Sequence, residues 1–265
     1  LYGCGTNGNG QLGLGHTIGT ITLSTIQEIT YFSYQSIKIK QIVCGGSHTM
    51  FLAIDGKVYG VGNNNNGQLG LGSTAQQITP KMISDLTSKT IKQIACGEYH
   101  TIFLASDDKV YGCGLNSNGQ LGLDHKTTPQ KTPQEIEFFY DKGIKITQIA
   151  CGRHHTMFLA NDGKVYGCGK NDKGQLGLSD FNERDEPVRI LYFDTFLYDN
   201  GITITQIVCG EYNTIFFASD GKVYGCGRND YGQLGLGDTG SGESTIQEIT
   251  NLADKNITQI ACGKY

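Results

Sequence analysis

The tightest constraint on this chain is that it repeats itself. The string Tyr-Gly-x-Gly-x-Asn-x-x-Gly-Gln-Leu-Gly-Leu occurs five times, with its Tyr at Tyr2, Tyr59, Tyr111, Tyr166 and Tyr224. A second string, Gln-Ile-(Val/Ala)-Cys-Gly, also occurs five times, with its Cys at Cys44, Cys96, Cys151, Cys209 and Cys262. The first marker advances by 57, 52, 55 and 58 residues and the second by 52, 55, 58 and 53, so both belong to one unit. A period of this size marks an architecture in which each unit buries its faces against its neighbours. Gly supplies 38 of the 265 residues, about twice ordinary usage. Most of that excess falls on the two strings, so it is periodic and not low-complexity.

Each unit reads as four short strands. In the second unit, Ile91 to Gly97 alternates apolar residues, His100 to Ala105 is an apolar run, and Lys109 to Gly114 follows a turn. Three units carry Asp-Gly at that turn, as Asp55-Gly56, Asp162-Gly163 and Asp220-Gly221. This predicts a two-residue hairpin loop with positive φ at both positions, a geometry that Asp107-Asp108 tolerates less well. A weaker strand precedes each Gln-Ile string (Pro80 to Ile83, Pro133 to Ile136, Pro187 to Ile190), with Pro at its permitted first position. Gly-Gln-Leu-Gly is expected to cross from one blade to the next, fixed by Asn7, Asn64, Asn116, Asn171 and Asn229 in Asx-type turns. No segment shows a helical period. The expected fold is all-β: a β-propeller of four-stranded antiparallel blades, about five of them present, filling residues 1–265 as one domain. Because Leu1 and Tyr265 both fall inside the repeat, the chain reads as a fragment, with four complete repeats and partial ones at both ends.

Two stretches, Gly114 to Gly122 and Cys96 to Leu104, resemble the regulator of chromosome condensation repeat family over essentially the whole chain. WD and kelch repeats have shorter periods and other signatures. The resemblance implies a ring of about seven blades, so that these five form part of it, the alternative being a five-bladed ring short of one strand. It also implies a propeller without covalent chemistry, whose founding members are guanine-nucleotide exchange factors for a small nuclear GTPase. Other relatives carry the propeller in ubiquitin-ligase, ciliary or cytoskeletal proteins. The protruding wedge and basic region tied to exchange activity in that family have no counterpart here. Light sensing through a Trp cluster, known in the same fold, is disfavoured by the absence of Trp.

The nine Cys fall in two repeat slots, and Val61 takes one of them in the second copy of the Tyr-Gly string. They read as buried small apolar side chains with free thiols, which points to a reducing compartment, cytoplasm or nucleus. No Cys-x-x-Cys pair suggests a metal, and no cofactor is expected. His48, His100 and His155 share a slot that Asn213 fills in the fourth unit, so their role is structural hydrogen bonding. The Gly3-x-Gly5-x-x-Gly8 match to a dinucleotide fingerprint lacks the helix it requires. A net charge of −4 gives no footprint for direct nucleic-acid or membrane binding. No small-molecule substrate is expected either.

Function is therefore sought in what varies on the fixed grid. The two residues after Cys-Gly differ in every unit: Gly46-Ser47, Glu98-Tyr99, Arg153-His154, Glu211-Tyr212 and Lys264-Tyr265. Ser47, Glu98, Tyr99, Arg153, His154, Glu211 and Tyr212 are the candidate partner-binding residues, expected on one rim. An ordinary polar rim is the competing reading. The first expectation is a scaffold that binds a protein partner, with a small GTPase as one partner class. The aromatic runs at Tyr31-Phe32, Phe138-Phe139-Tyr140, Tyr192-Phe193 and Phe196 are expected to pack between or beneath blades.

Overall fold

Alternating apolar residues with tight turns produce short antiparallel strands throughout the computed structural model, which describes residues 1–17, 22–196, 201–252, 255 and 257–263. Lys264, Tyr265, the side chain of Phe196 and residues 18–21 lie outside the described residues. The first compact unit comprises Leu1–Asn116 with Thr127–Glu135, and the second Ser117–Lys126 with Ile136–Tyr265.

In the first unit, β1 (Tyr2–Thr6) pairs with β2 (Thr22–Glu28). A complete blade follows, with β3 (Ile39–Cys44), β4 (His48–Ala53), β5 (Val58–Gly62) and β6 (Gln77–Met82) hydrogen-bonded in that order. The next blade has β7 (Ile91–Cys96), β8 (His100–Ala105), β9 (Val110–Gly114) and β10 (Gln130–Glu135). The second unit contains two more blades. They are β11 (Ile146–Cys151), β12 (His155–Ala160), β13 (Val165–Gly169) and β14 (Arg184–Arg189), then β15 (Ile204–Cys209), β16 (Asn213–Ala218), β17 (Val223–Gly227) and β18 (Glu243–Glu248). The last Gln-Ile string, expected as a strand, has no strand assigned over 257–263.

The strand count per blade matches the reading of the repeat, but its phase does not. The Gly-Gln-Leu-Gly loop joins the third and fourth strands of one sheet, because the weak strand pairs backward: Tyr59 lies opposite Met82 and Gly60 opposite Lys81. The loop nevertheless rests on the next blade. Gln68 O accepts from Thr101 Oγ1 at 2.7 Å and Cys113 Sγ at 3.5 Å, and Gly70 sits on Pro133. The conserved-looking string thus marks a spatial junction without being the covalent one. Pro80, Pro133 and Pro187 stand inside β6, β10 and β14 and not at their starts. Each of these is an edge strand with a register break, where a missing N–H costs no ladder bond.

The Asp-Gly turns are three-residue loops and not two-residue ones. Gly56 N donates to Ala53 O at 3.0 Å and Ala53 N to Lys57 O at 2.9 Å, while Asp55 Oδ1 accepts from Lys57 N at 3.1 Å. Only Gly56 in that loop has positive φ, at +85°. This is a turn closed by a left-handed glycine bulge, which the Asp side chain reinforces. In the second blade Asp108 takes that position at φ +67°, where a Cβ is strained. Asp108→Gly is expected to stabilise the protein by about 0.5–1 kcal/mol in urea denaturation. The exposed Lys92–Asp108 ion pair that it removes offsets little of this.

Three one-turn helices, α1 (Thr30–Tyr34), α2 (Glu137–Asp141) and α3 (Tyr192–Phe196), stand where the sequence shows no helical period. One turn is too short to express a period, and its stability comes from packing. Phe32 meets Phe51 at 4.8 Å, Phe139 meets Phe158 at 4.8 Å, and Phe193 meets Phe216 at 5.1 Å between ring centroids. In the second blade, Leu86 of the 3-10 turn Ser84–Leu86 enters the core that also holds Phe103 and Tyr111. The second strands β4, β8 and β12 are buried at all six positions.

Neighbouring blades within a unit are also joined by an amide clamp. Gln41 Nε2 donates to Ile94 O at 3.2 Å, and Ile94 N donates back to Gln41 Oε1 at 3.1 Å. Gln148 holds Ile207 the same way, at 3.0 and 2.9 Å. The Gln of the Gln-Ile string therefore supplies the bonds that a further strand would make.

Candidate functional site

Each hairpin between a blade's first two strands is built on Cys-Gly-x-x-His, or Asn in the fourth blade. The Gly is required by what lies over it: a Cβ on Gly152 would stand 2.0 Å from His155 Cε1, and one on Gly210 2.2 Å from Asn213 Oδ1. His155 Nε2 is 3.0 Å from Thr214 Oγ1, whose hydroxyl donates to Gln175 O at 2.8 Å. His48 repeats the arrangement with Thr101 at 3.0 Å. Since each Thr hydrogen is committed to a carbonyl, the imidazole must donate from Nε2, leaving Nδ1 as an acceptor. Nδ1 of His48 and of His155 is buried with no hydrogen-bond partner among the described residues. Burial lowers the pKa of His48 to about 4. Burial, with a smaller contribution from His154, lowers that of His155 to about 3. Both rings are neutral joints between blades, the structural role the sequence assigned them.

Burial raises the thiol pKa of Cys113, Cys168 and Cys226 well above the ordinary range, and Val61 shares that buried slot. The reading of all nine as buried is corrected at Cys4 and Cys44, which are exposed; Cys96, Cys151, Cys209 and Cys262 are half-buried.

The structure places the seven candidate residues at these hairpin tips, but as half-buried side chains and not as a free rim. Within each unit successive tips interlock. Gly46 N donates to Glu98 O at 3.3 Å, and Arg153 N to Glu211 O at 3.0 Å. Arg153 Nη1 also donates to Glu211 Oε1 and, at 2.6 Å, to the Tyr212 hydroxyl. The Glu211 side chain is 8% exposed and that of Arg153 32%, and Glu211 Oε2 has no hydrogen-bond partner among the described residues. Removing the Arg leaves a buried carboxylate uncompensated. Arg153→Met is expected to cost about 2–3 kcal/mol, less than a fully buried pair because Arg153 is partly solvated. Adding Glu211→Gln should recover much of that loss, and a double-mutant cycle by urea denaturation measures it.

Further residues join this site that the pattern of tips alone did not reveal. The Lys170 ammonium lies 5.9 Å and the Arg228 guanidinium 5.8 Å from the Tyr212 ring centroid, with Arg153 at 5.5 Å. Arg228 also sits 5.0 Å from the ring of exposed Tyr231. The available signal was the residue after Gly-x-Gly: Thr6, Asn63, Leu115, Lys170 and Arg228, cationic only in the last two. Its backbone N–H donates to the second tip residue in each blade, from Asn63 to Ser47, Leu115 to Tyr99, Lys170 to His154 and Arg228 to Tyr212. That register sets it beside the tip. The cations are tethered, Lys170 to Asp172 at 3.2 Å and Arg228 to Asp230 at 2.8 Å. The result is a preformed aromatic and cationic cluster, suited to recognition. Among the described residues no group of three or more His, Cys, Asp or Glu could hold a metal ion. No described helix is long and apolar enough to cross a membrane.

Four-stranded blades joined by interlocked, variable tips define a repeat protein of the β-propeller class. The RCC1-like domain family model matches residues 1–265, and the chain belongs to that family. It is 33% identical over 263 residues to the ultraviolet-B receptor UVR8 of Arabidopsis thaliana, covering 99% of this chain and 56% of that protein. It is 34% identical over 277 residues to the human probable E3 ubiquitin-protein ligase HERC3, covering 85% of this chain and 26% of that protein. The chain thus spans about half or less of the length of these relatives. Among solved structures, human WBSCR16 superposes with a TM-score of 0.87 at 24% identity, covering 99% of this chain and 65% of that one. Yeast RCC1 (Prp20), solved bound to Kap60, does so at 0.80 and 23%, covering 99% and 62%.

Proposed function

We propose that this chain is a non-enzymatic interaction module that docks a protein partner through its hairpin tips. The observation carrying the reading is the cluster of Arg153, Lys170 and Arg228 around Tyr212, with Tyr231 exposed beside it. Aromatic and Arg side chains on a rigid frame lose little entropy on binding, which makes them strong anchors. His154 and Glu211 belong to the same two tips as Arg153 and Tyr212, with Glu211 holding the guanidinium in place; in the first unit, Ser47, Glu98 and Tyr99 are the proposed contacts on its own tips. Nine free thiols fit a cytoplasmic or nuclear setting.

The test must spare the Arg153–Glu211 pair, whose loss destabilises the tips it is meant to probe. Lys170→Ala, Arg228→Ala and Tyr231→Ala combined should abolish capture of specific partners while the thermal melt stays within a few degrees. Retention of every partner by that variant overturns the assignment. A small GTPase is the partner class favoured second, because yeast Prp20p, similar in fold at a TM-score of 0.72, is described with its binding to Gsp1p. Exchange activity requires accelerated release of fluorescent nucleotide from a GTPase panel, and no acceleration by the full-length protein eliminates it.

A further inference from the structure

The cations around Tyr212 are held unequally, and that inequality points to what they bind. Arg153, Lys170, Tyr212, Arg228 and Tyr231 all belong to the second compact unit. The Arg153 guanidinium is committed inside the fold, to a Glu211 side chain only 8% exposed. Lys170 and Arg228 are tied instead to exposed carboxylates, Asp172 at 48% and Asp230 at 38%. Such exposed pairs add little net stability, so an incoming anion can take over either cation readily. Lys173 supplies a fourth positive charge: with Arg228, the larger influence, it holds the Asp230 carboxyl below the usual carboxylate range. Four cations therefore meet three carboxylates, Glu211, Asp172 and Asp230. The positions of Lys170 and Arg228 are held in the first unit by Asn63 and Leu115, so its tips lack this arrangement.

Arg228 is also held in place before any partner arrives. Its guanidinium lies over the Tyr212 ring at 5.8 Å and the Tyr231 ring at 5.0 Å, and its Nε donates to Asp230 Oδ1 at 2.8 Å. With Nε engaged, the terminal nitrogens Nη1 and Nη2 meet no carboxylate among the described residues. That end of the fork carries two parallel donors, which match the two oxygens of a carboxylate. We infer that this cluster is a receptor for acidic side chains on an extended segment of a partner protein. The inference rests on the docking role proposed above for the tips. Arg228 takes one carboxylate through Nη1 and Nη2, and Lys170 takes a second. Both cations lie close to one ring centroid, at 5.8 and 5.9 Å. Acidic residues two apart in an extended segment, about 7 Å between Cα atoms, reach both. Exposed Tyr231 offers its ring to an apolar residue between them. A phosphate or a nucleic-acid backbone is the poorer match, because Asp172 and Asp230 stay beside the cations and repel a dianion more than a single carboxylate.

The test is fluorescence anisotropy of the full chain with a fluorescein-labelled peptide, Gly-Ser-Glu-Phe-Glu-Ser-Gly. Its counterparts carry Gln or phosphoserine in place of both Glu, and an oligothymidylate serves as the nucleic-acid arm. The Glu peptide should bind at least about tenfold more tightly than the Gln peptide, and less tightly as salt is raised. Arg228→Lys keeps the charge but removes the fork, and should weaken the Glu peptide about tenfold. Asp172→Asn removes the competitor for Lys170 and should tighten it a few-fold. Thermal melts of both variants should match that of the parent chain. No saturable binding of the Glu peptide up to about 1 mM overturns the inference, as does an Arg228→Lys variant that binds it unchanged. Tighter binding of the phosphoserine peptide or the oligothymidylate overturns it in favour of phosphate. Loss of peptide binding as the chain itself is concentrated overturns it in favour of a second copy. Equal binding of Glu and Gln peptides, with partner capture lost in the Lys170, Arg228 and Tyr231 triple variant, overturns the acidic chemistry and leaves docking through the tips intact. Retention of every partner by that triple variant overturns both.

Discussion

Lowering the pH from 7 to 5 is expected to remove about 4 kcal/mol of folding stability through His48 and His155 alone, about 2 kcal/mol from each. Both imidazoles have folded pKa values, about 4 and about 3, below the ordinary 6.5. The unfolded chain therefore binds more protons than the folded one at every pH between these values and 6.5. The stability is fully present above pH 6.5 and falls as pH drops toward 4 and then 3, at about 1.4 kcal/mol per pH unit for each ring. The cause is geometric: Nε2 already donates to a threonine, and a proton on Nδ1 would put a buried cation with no acceptor against the backbone of Gly45 or Gly152. Set against a total of about 5–15 kcal/mol, the loss removes about a quarter or more of the folding stability before most carboxylates protonate. Urea titrations at pH 7 and pH 5 measure it. His48→Asn with His155→Asn should flatten the dependence, using the substitution the chain itself makes at Asn213. An equal loss of stability in that variant would place the proton uptake elsewhere.

That neutral histidine role was legible before any coordinates, because a slot shared by His and Asn cannot need a base. Strand count and hairpin positions were legible for a similar reason, since turn signals and alternation are local. Blade phase was not. The weak strand 77–82 could pair with the strand before it or after it, and local pattern does not distinguish them; the backward pairing of Met82 with Tyr59 is a tertiary fact. The loop between them misled because Gln68 does touch the next blade, through Thr101. The one-turn helices escaped for want of length. At the tips, the sequence identified the varying residues but not their mutual burial. Arg153 and Glu211 lie 58 positions apart, and only the stacking of successive blades brings the guanidinium onto the carboxylate. Lys170 and Arg228 were hidden inside the string that looked fixed, at its one variable position beside the tip.

Phe139→Ala is expected to cost about 3–5 kcal/mol, the range for emptying a buried Phe site. Phe139 is fully buried, its centroid 4.8 Å from Phe158 and 5.7 Å from Tyr166, in tilted and edge-on contacts. Those contacts join α2 to strands β12 and β13, so the cavity falls where the link entering the third blade is fastened to its sheet. A five-residue helix has no independent stability, and without its anchor the turn should fray. Phe138, half-buried and 5.3 Å from Phe139, is the control: Phe138→Ala should cost less than about 2 kcal/mol, since its site is open to solvent. A sharper comparison comes from the repeat itself. Three residues after Ile29, Ile136 and Ile190 stand Phe32, Phe139 and Phe193, but after Ile83 and Ile249 stand Leu86 and Leu252. Phe139→Leu should therefore cost no more than about 1.5 kcal/mol, because the blade frame already accepts leucine there. Urea denaturation with unchanged m-value separates these outcomes. If alanine and leucine cost the same, the ring is not what holds the helix to the blade.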